Sequence, residues 1–94
     1  MKEDIIIELD CRIEKFILDN SEINTWIMLK ESEKNLRQIL QNSNLRKAND
    51  KYEKELTETE DCMKFMKRNF SAVNTYEELI LQKQVIQEEK SSYH

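Results

Sequence analysis

The sequence predicts an all-α chain, a small antiparallel helical bundle of three to four helices whose core is completed by oligomerisation. Three observations carry that reading. The 94 residues include no glycine and no proline, where average usage would supply about a dozen of the two together. The residues that build tight turns, hairpins and phosphate-cradling loops are therefore missing. Charged residues (36%) nearly match hydrophobic ones (38%), and the hydrophobic ones recur at spacings of three and four, the period of a helix with one buried stripe. A chain of this length holds a single domain.

With no glycine or proline to punctuate the chain, polar clusters and capping residues mark the element boundaries. A first helix over about 3–18 places Ile6, Leu9, Ile13, Phe16 and Ile17 on one face, with Cys11 at its margin. It stops at Asp19-Asn20-Ser21, three good N-cap types in a row. The second helix, about 21–41, carries Ile23, Trp26, Ile27, Leu29, Leu36, Ile39 and Leu40 around a charged middle, 30–34, that should face water. Gln41-Asn42-Ser43-Asn44 is the most turn-like tetrapeptide, and Asn is the best left-handed C-cap when Gly is absent.

A third helix over about 44–69 aligns Tyr52, Leu56, Thr59, Met63 and Met66, and its stripe continues through Phe70 and Val73. Its middle, 53–61, offers Leu56 as the one large apolar residue and reads as a solvated extension. The third break spans 69–75, where Thr75 and Glu78 form a capping box. A fourth helix, about 75–90, then buries Tyr76, Leu79, Ile80, Lys83 and Ile86, with Val85 nearby, before a polar tail at 91–94 that should fray.

No segment keeps apolar a and d positions over three or four heptads, so an isolated long coiled coil is poorly supported. One continuous helix would run about 140 Å and leave Trp26 and several isoleucines in water. Short antiparallel hairpins bury them. The sparse third segment and the broad apolar stripes elsewhere suggest that a second copy or another helical protein completes the core, help that small domains often need.

Composition also bounds function. Fifteen Lys and Arg against nineteen Asp and Glu give a net charge of −4, which opposes general attraction to nucleic acid or an anionic membrane. Cys11 and Cys62 read as reduced core thiols, since free cysteine is among the most buried residue types. No apolar run approaches the length of a bilayer span or an export signal, and a cytoplasmic protein is expected. The one histidine, His94, ends the sequence. A zinc site from Cys11, Cys62 and His94 lacks a fourth ligand and any Cys-x-x-Cys spacing. Paired carboxylates such as Glu31/Glu33 and Glu58/Glu60/Asp61 read as solvated helix faces. No enzyme, cofactor or metal is expected.

Two features stand above that background. Trp26, the only tryptophan, sits on a turn that Ile23, Ile27 and Leu29 make apolar nearly all round. Core packing is the default for it, but the excess apolar width also suits an interface anchor. Met63, Met66 and Phe70 on the third segment belong to the same candidate partner-binding set. The second feature is Lys64, Lys67 and Arg68, interleaved with Phe65 and Phe70, which could touch RNA together with Arg46 and Lys47. Lys67 and Arg68 equally suit a helix C-terminal dipole.

Ile13, Ile17, Asn20-Ser21-Glu22, Ile23 and Trp26, followed by Lys30-Glu31-Ser32-Glu33, resemble the opening of the YlbF/YmcA family of small helical bacterial proteins. Leu40-Gln41-Asn42-Ser43 and Tyr76-Glu77-Glu78-Leu79-Ile80 are similar to that family's next turn and last helix. The resemblance implies a non-enzymatic regulator that self-associates or joins related subunits and acts on RNA processing through RNase Y. The stretch between the Ser21 and Asn42 breaks is longer than the family pattern, and the C-terminal cysteines that hold an iron–sulfur cofactor in some members are absent. The sequence thus leads to an adaptor or oligomeric regulatory subunit. The alternatives are a coiled-coil subunit of a larger eukaryotic scaffold and a small RNA-associated protein.

Overall fold

Each of the four expected segments is helical in the computed structural model, which describes residues 2–42 and 46–92. In chain order they are α1 (Lys2–Asp19), α2 (Glu22–Asn42), α3 (Arg46–Asn69) and α4 (Ser71–Ser92). Glu3 and Asp4 occupy the first turn of α1, while Lys67 and Arg68 occupy the last turn of α3. Both placements oppose the charge at the helix end they occupy.

The joints decide the architecture. At the first, the Asn20 backbone N–H donates to the Phe16 carbonyl at 3.0 Å, and its side-chain amide donates to the same carbonyl at 3.0 Å. The Ile23 N–H donates to the Asn20 carbonyl at 3.0 Å, so α2 starts as soon as α1 stops. No described residue takes a positive φ, and a chain without a left-handed residue here bends rather than reverses. Accordingly α1 packs mainly on α4, and α2 mainly on α3.

The second joint is the single non-helical residue Phe70. Its N–H donates to the Met66 carbonyl at 2.8 Å, and its own carbonyl accepts the Val73 N–H at 3.0 Å. This corrects the expected break at 69–75. α4 begins four residues before Thr75, whose hydroxyl donates back to the Ser71 carbonyl at 3.4 Å inside the helix. An intrahelical acceptor captures the side chain that a capping box would have used. The Ser43-Asn44 part of the middle break lies outside the described residues, as does His94.

The result is two antiparallel helix pairs joined at an elbow. Asp10 on α1 meets Lys83 on α4 at 2.6 Å, while nearer the elbow Phe16 and Asp19 share a groove with Thr75 and Leu79. Along α2 and α3, Arg37 reaches Glu60 and, closer to the elbow, Leu29 shares a groove with Cys62. The molecule is a plate measuring 52 × 37 × 17 Å with a Cα radius of gyration of 16.6 Å, against about 12 Å for a compact chain of this length.

A buried cluster lies at the elbow, and Leu9, Ile13, Leu36 and Leu79 are buried outside it along the two helix pairs. Ile23 and Trp26 from α2, Met66 from α3 and Val73 from α4 form the buried cluster, with Phe16, Ile17, Met63 and Tyr76 among the side chains packed around it. Ile23 and Val73 are both 0% exposed. Away from the elbow each pair is only two helices deep. Leu40, Tyr52 and Leu56 are half-buried there, and Ile39 is exposed.

Both cysteines depart from expectation. Cys11 and Cys62 are free and exposed. Cys11 falls on the outer stripe of α1 with Ile7 and Leu18, opposite the Leu9–Ile13 face that meets α4. Cys62 falls on the open side of the α2–α3 seam. In a plate this thin, a small side chain at a stripe margin meets no third helix to cover it.

Candidate functional site

The expected partner-binding residues are mostly interior in this chain, with Leu29 reaching the surface at a groove edge and Phe70 exposed. Ile23, Trp26 and Met66 are buried in the elbow core, and Ile27, Leu29 and Met63 are half-buried against it. Four helices meet at this point, so the wide apolar turn of α2 finds intramolecular partners on α1, α3 and α4 together. Phe70 alone of the set is exposed, at the α3–α4 joint. The Trp26 Nε1–H is buried with no hydrogen-bond acceptor, an arrangement that costs about 1–3 kcal/mol.

What faces outward is a different set of apolar side chains, and the α2–α3 pair arranges it most coherently. Leu29, Ser32 and Leu36 follow one face of α2 at steps of three and four. Glu55, Glu58, Thr59 and Cys62 follow the facing side of α3. Together with Asn35 they line an open groove of about 500 Å³. Helical phase places Met28 and Ile39 beside the α2 wall and Phe65 one turn beyond Cys62. Met28 is 69% and Phe65 61% exposed.

The opposite edge of the same pair is ionic. Lys30 donates to Glu77 of α4 at 2.9 Å. Arg37 lies 3.5 Å from Glu33 and 3.9 Å from Glu60. These pairs stand at the surface, where each contributes at most about 1 kcal/mol. Their greater effect is on layout, since Lys30 and Arg37 are held on the side away from the groove.

Smaller apolar features mark the other arm. Leu81, Val85 and Ile86 form a shallow patch on α4, and Ile7 and Leu18 stand out from α1 at 62% and 83% exposure. Lys64, Lys67 and Arg68 are exposed along the elbow end of α3, and no described hydrogen bond or ion pair engages their side chains. The side chains of Arg46 and Lys47 lie outside the described residues.

Chemistry-bearing groups are sparse. Among the described residues no three His, Cys, Asp or Glu side chains come together as a metal site, and no helix is long and apolar enough to cross a membrane. Burial pushes the Tyr76 phenol above its ordinary range, with Lys30 and Lys83 pulling the other way and Glu77 adding to the rise. That shift follows from its packing against the elbow core.

In the sequence Met28 reads, with Met63 and Met66, as suited to an adaptable contact and Phe65 as part of the Lys64–Phe70 run, and neither falls on the main three-and-four stripe of its helix. An apolar side chain out of phase with its own helix was the available signal. No family model matches this chain, and no curated protein or solved structure does either.

Proposed function

We propose that this chain is a non-enzymatic helical interaction subunit, an adaptor or oligomeric regulator that works by docking other helices onto its open faces. The observation that carries the reading is the exposure of large apolar side chains along both arms of a plate 17 Å thick. Soluble monomers expose single apolar residues routinely, but stripes of them rimmed by polar groups mark interaction surfaces. Covering one face with a further helix would turn a two-helix layer into a bundle with an enclosed core. The likeness of 13–33 and 76–80 to YlbF/YmcA proteins points the same way, toward self-association or assembly with related helical subunits.

Recovery of the tagged chain from its native lysate, with and without RNase, tests this reading. A protein or second copy retained in near-stoichiometric amount under both conditions is the expected result. A chain recovered alone and strictly monomeric refutes it. A second reading, RNA association, is favoured by the exposed and unengaged Lys64, Lys67 and Arg68 beside the exposed Phe65. It predicts RNase-sensitive recovery and an affinity that falls steeply between about 50 and 200 mM salt, and it is dropped if Arg68→Glu leaves RNA binding unchanged.

A further inference from the structure

We infer that the groove between α2 and α3 is a docking site for a basic amphipathic helix of another protein. This rests on the interaction-subunit reading and specifies the partner's chemistry. The floor is apolar, with Leu29 and Leu36 on one wall and Cys62 on the other. Leu29 and Leu36 are seven residues apart, about 10.5 Å along the helix. That span suits an incoming helix of about three turns with apolar anchors at i, i+3 or i+4, and i+7.

Charge selects the partner. The only ionisable carboxylates lining the groove are those of Glu55 and Glu58, both exposed and neither in a described ion pair. No lysine or arginine lines it. The α2 cations Lys30 and Arg37 are engaged on the opposite edge. An apolar floor with an anionic wall attracts a helix whose stripe is bordered by Lys or Arg and disfavours one bordered by acids. Lys51 and Lys54 stand on α3 nearer the α2–α3 connection, outside the groove lining, so the cations of the ligand belong against Glu55 and Glu58. A second copy offering its α4 patch is a poor occupant, because Glu78 and Glu88 border that patch and would set acid against acid. A copy docking through Phe65 and the cations beside it is separated from a foreign helix by whether Cys62 is protected before any peptide is added.

The test uses the intact chain and a dye-labelled synthetic helix of about 14 residues, four turns, built from Leu, Ala and Lys. A counterpart with Glu at every Lys position serves as its control. Binding is read by fluorescence anisotropy, and maleimide modification of Cys62 and Cys11 is followed by mass. We expect the basic helix alone to bind, to slow Cys62 modification about tenfold or more and to leave Cys11 unchanged. Glu55→Lys/Glu58→Lys should weaken binding about tenfold or more, whereas Glu8→Lys/Glu14→Lys, which changes net charge equally, should not.

Equal binding of the acidic helix, equal weakening by both double variants, or protection of Cys11 instead of Cys62 overturns the groove assignment and leaves the broader reading standing. So does a self-associating chain whose Cys62 is already protected before peptide is added, because the occupant is then a second copy. If neither helix binds and the chain recovered from its lysate is monomeric and alone, the broader reading falls as well.

Discussion

Replacing Ile23 with alanine should destabilise this chain more than any comparable change away from the elbow. Ile23 is 0% exposed and belongs to the buried cluster with Trp26, Met66 and Val73. Truncating a fully buried isoleucine removes its transfer free energy and leaves a cavity, together about 2–5 kcal/mol. Relaxation is limited because the cluster draws side chains from three helices, so the middle of that range applies, about 3 kcal/mol. A chain of this size has a total stability of about 5–14 kcal/mol, and a loss of 3 kcal/mol should lower Tm by about 12–24 °C. Trp26, the only tryptophan, lies in the same cluster, so urea or thermal unfolding followed by its emission and by circular dichroism measures the effect. The matched control is Ile7→Ala on the exposed face of α1, which should cost no more than about 0.5 kcal/mol. Equal losses for Ile23→Ala and Ile7→Ala would refute the buried cluster at the elbow.

Other consequences are checked as directly. Asp10→Asn should cost less than about 1 kcal/mol at low salt and almost nothing at high salt, because the pair with Lys83 is partly exposed; denaturant midpoints at two ionic strengths measure this. Both thiols should react with a thiol reagent in the folded chain, since Cys11 and Cys62 are exposed, and a cysteine that reacted only after unfolding would contradict its placement. Tyr76 gives a pH dependence of known sign. Burial raises its folded-state pKa above 10.0, so the neutral phenol is favoured in the folded state. That contribution is complete below the unfolded value and is lost as pH rises through the folded one. Stability should therefore decline in the alkaline range above pH 10.0, and Tyr76→Phe should flatten that part of the curve.

Much of the fold is legible in the sequence because local rules and tertiary packing agree. Ile6, Leu9, Ile13, Phe16 and Ile17 form the inner stripe of α1, and Leu79, Ile80, Lys83 and Ile86 that of α4, just as their three-and-four spacing implies. The Asn20-Ser21 break is equally plain. The pairing of those helices is less so. The soft Asp19-Asn20-Ser21 break leaves a hairpin and one kinked helix both open in the sequence, and in the structure Asn20 bends the chain without a positive φ. Pairing of α1 with α4 then follows from the matching bend at Phe70, some fifty positions away, which no local window contains.

The candidate site was harder to read for the same reason. Trp26 and its neighbours looked too apolar for one partner helix, and at the elbow they meet three. The surface then falls to Met28, Cys62 and Phe65, which lie outside the main apolar stripes of α2 and α3. Glu55 and Glu58 gain their meaning from facing Leu29 and Leu36 across the seam, a juxtaposition that spacing along α3 does not reveal.

The most direct test of the account is native mass spectrometry of the chain from its own source, beside Met28→Ser/Ile39→Ser/Phe65→Ser. All three positions are exposed, so helix content and Trp26 emission should be unchanged. The account predicts that the unaltered chain sits in a defined assembly and that the triple variant is monomeric. A monomeric unaltered chain, or a triple variant that keeps the same assembly, would contradict it.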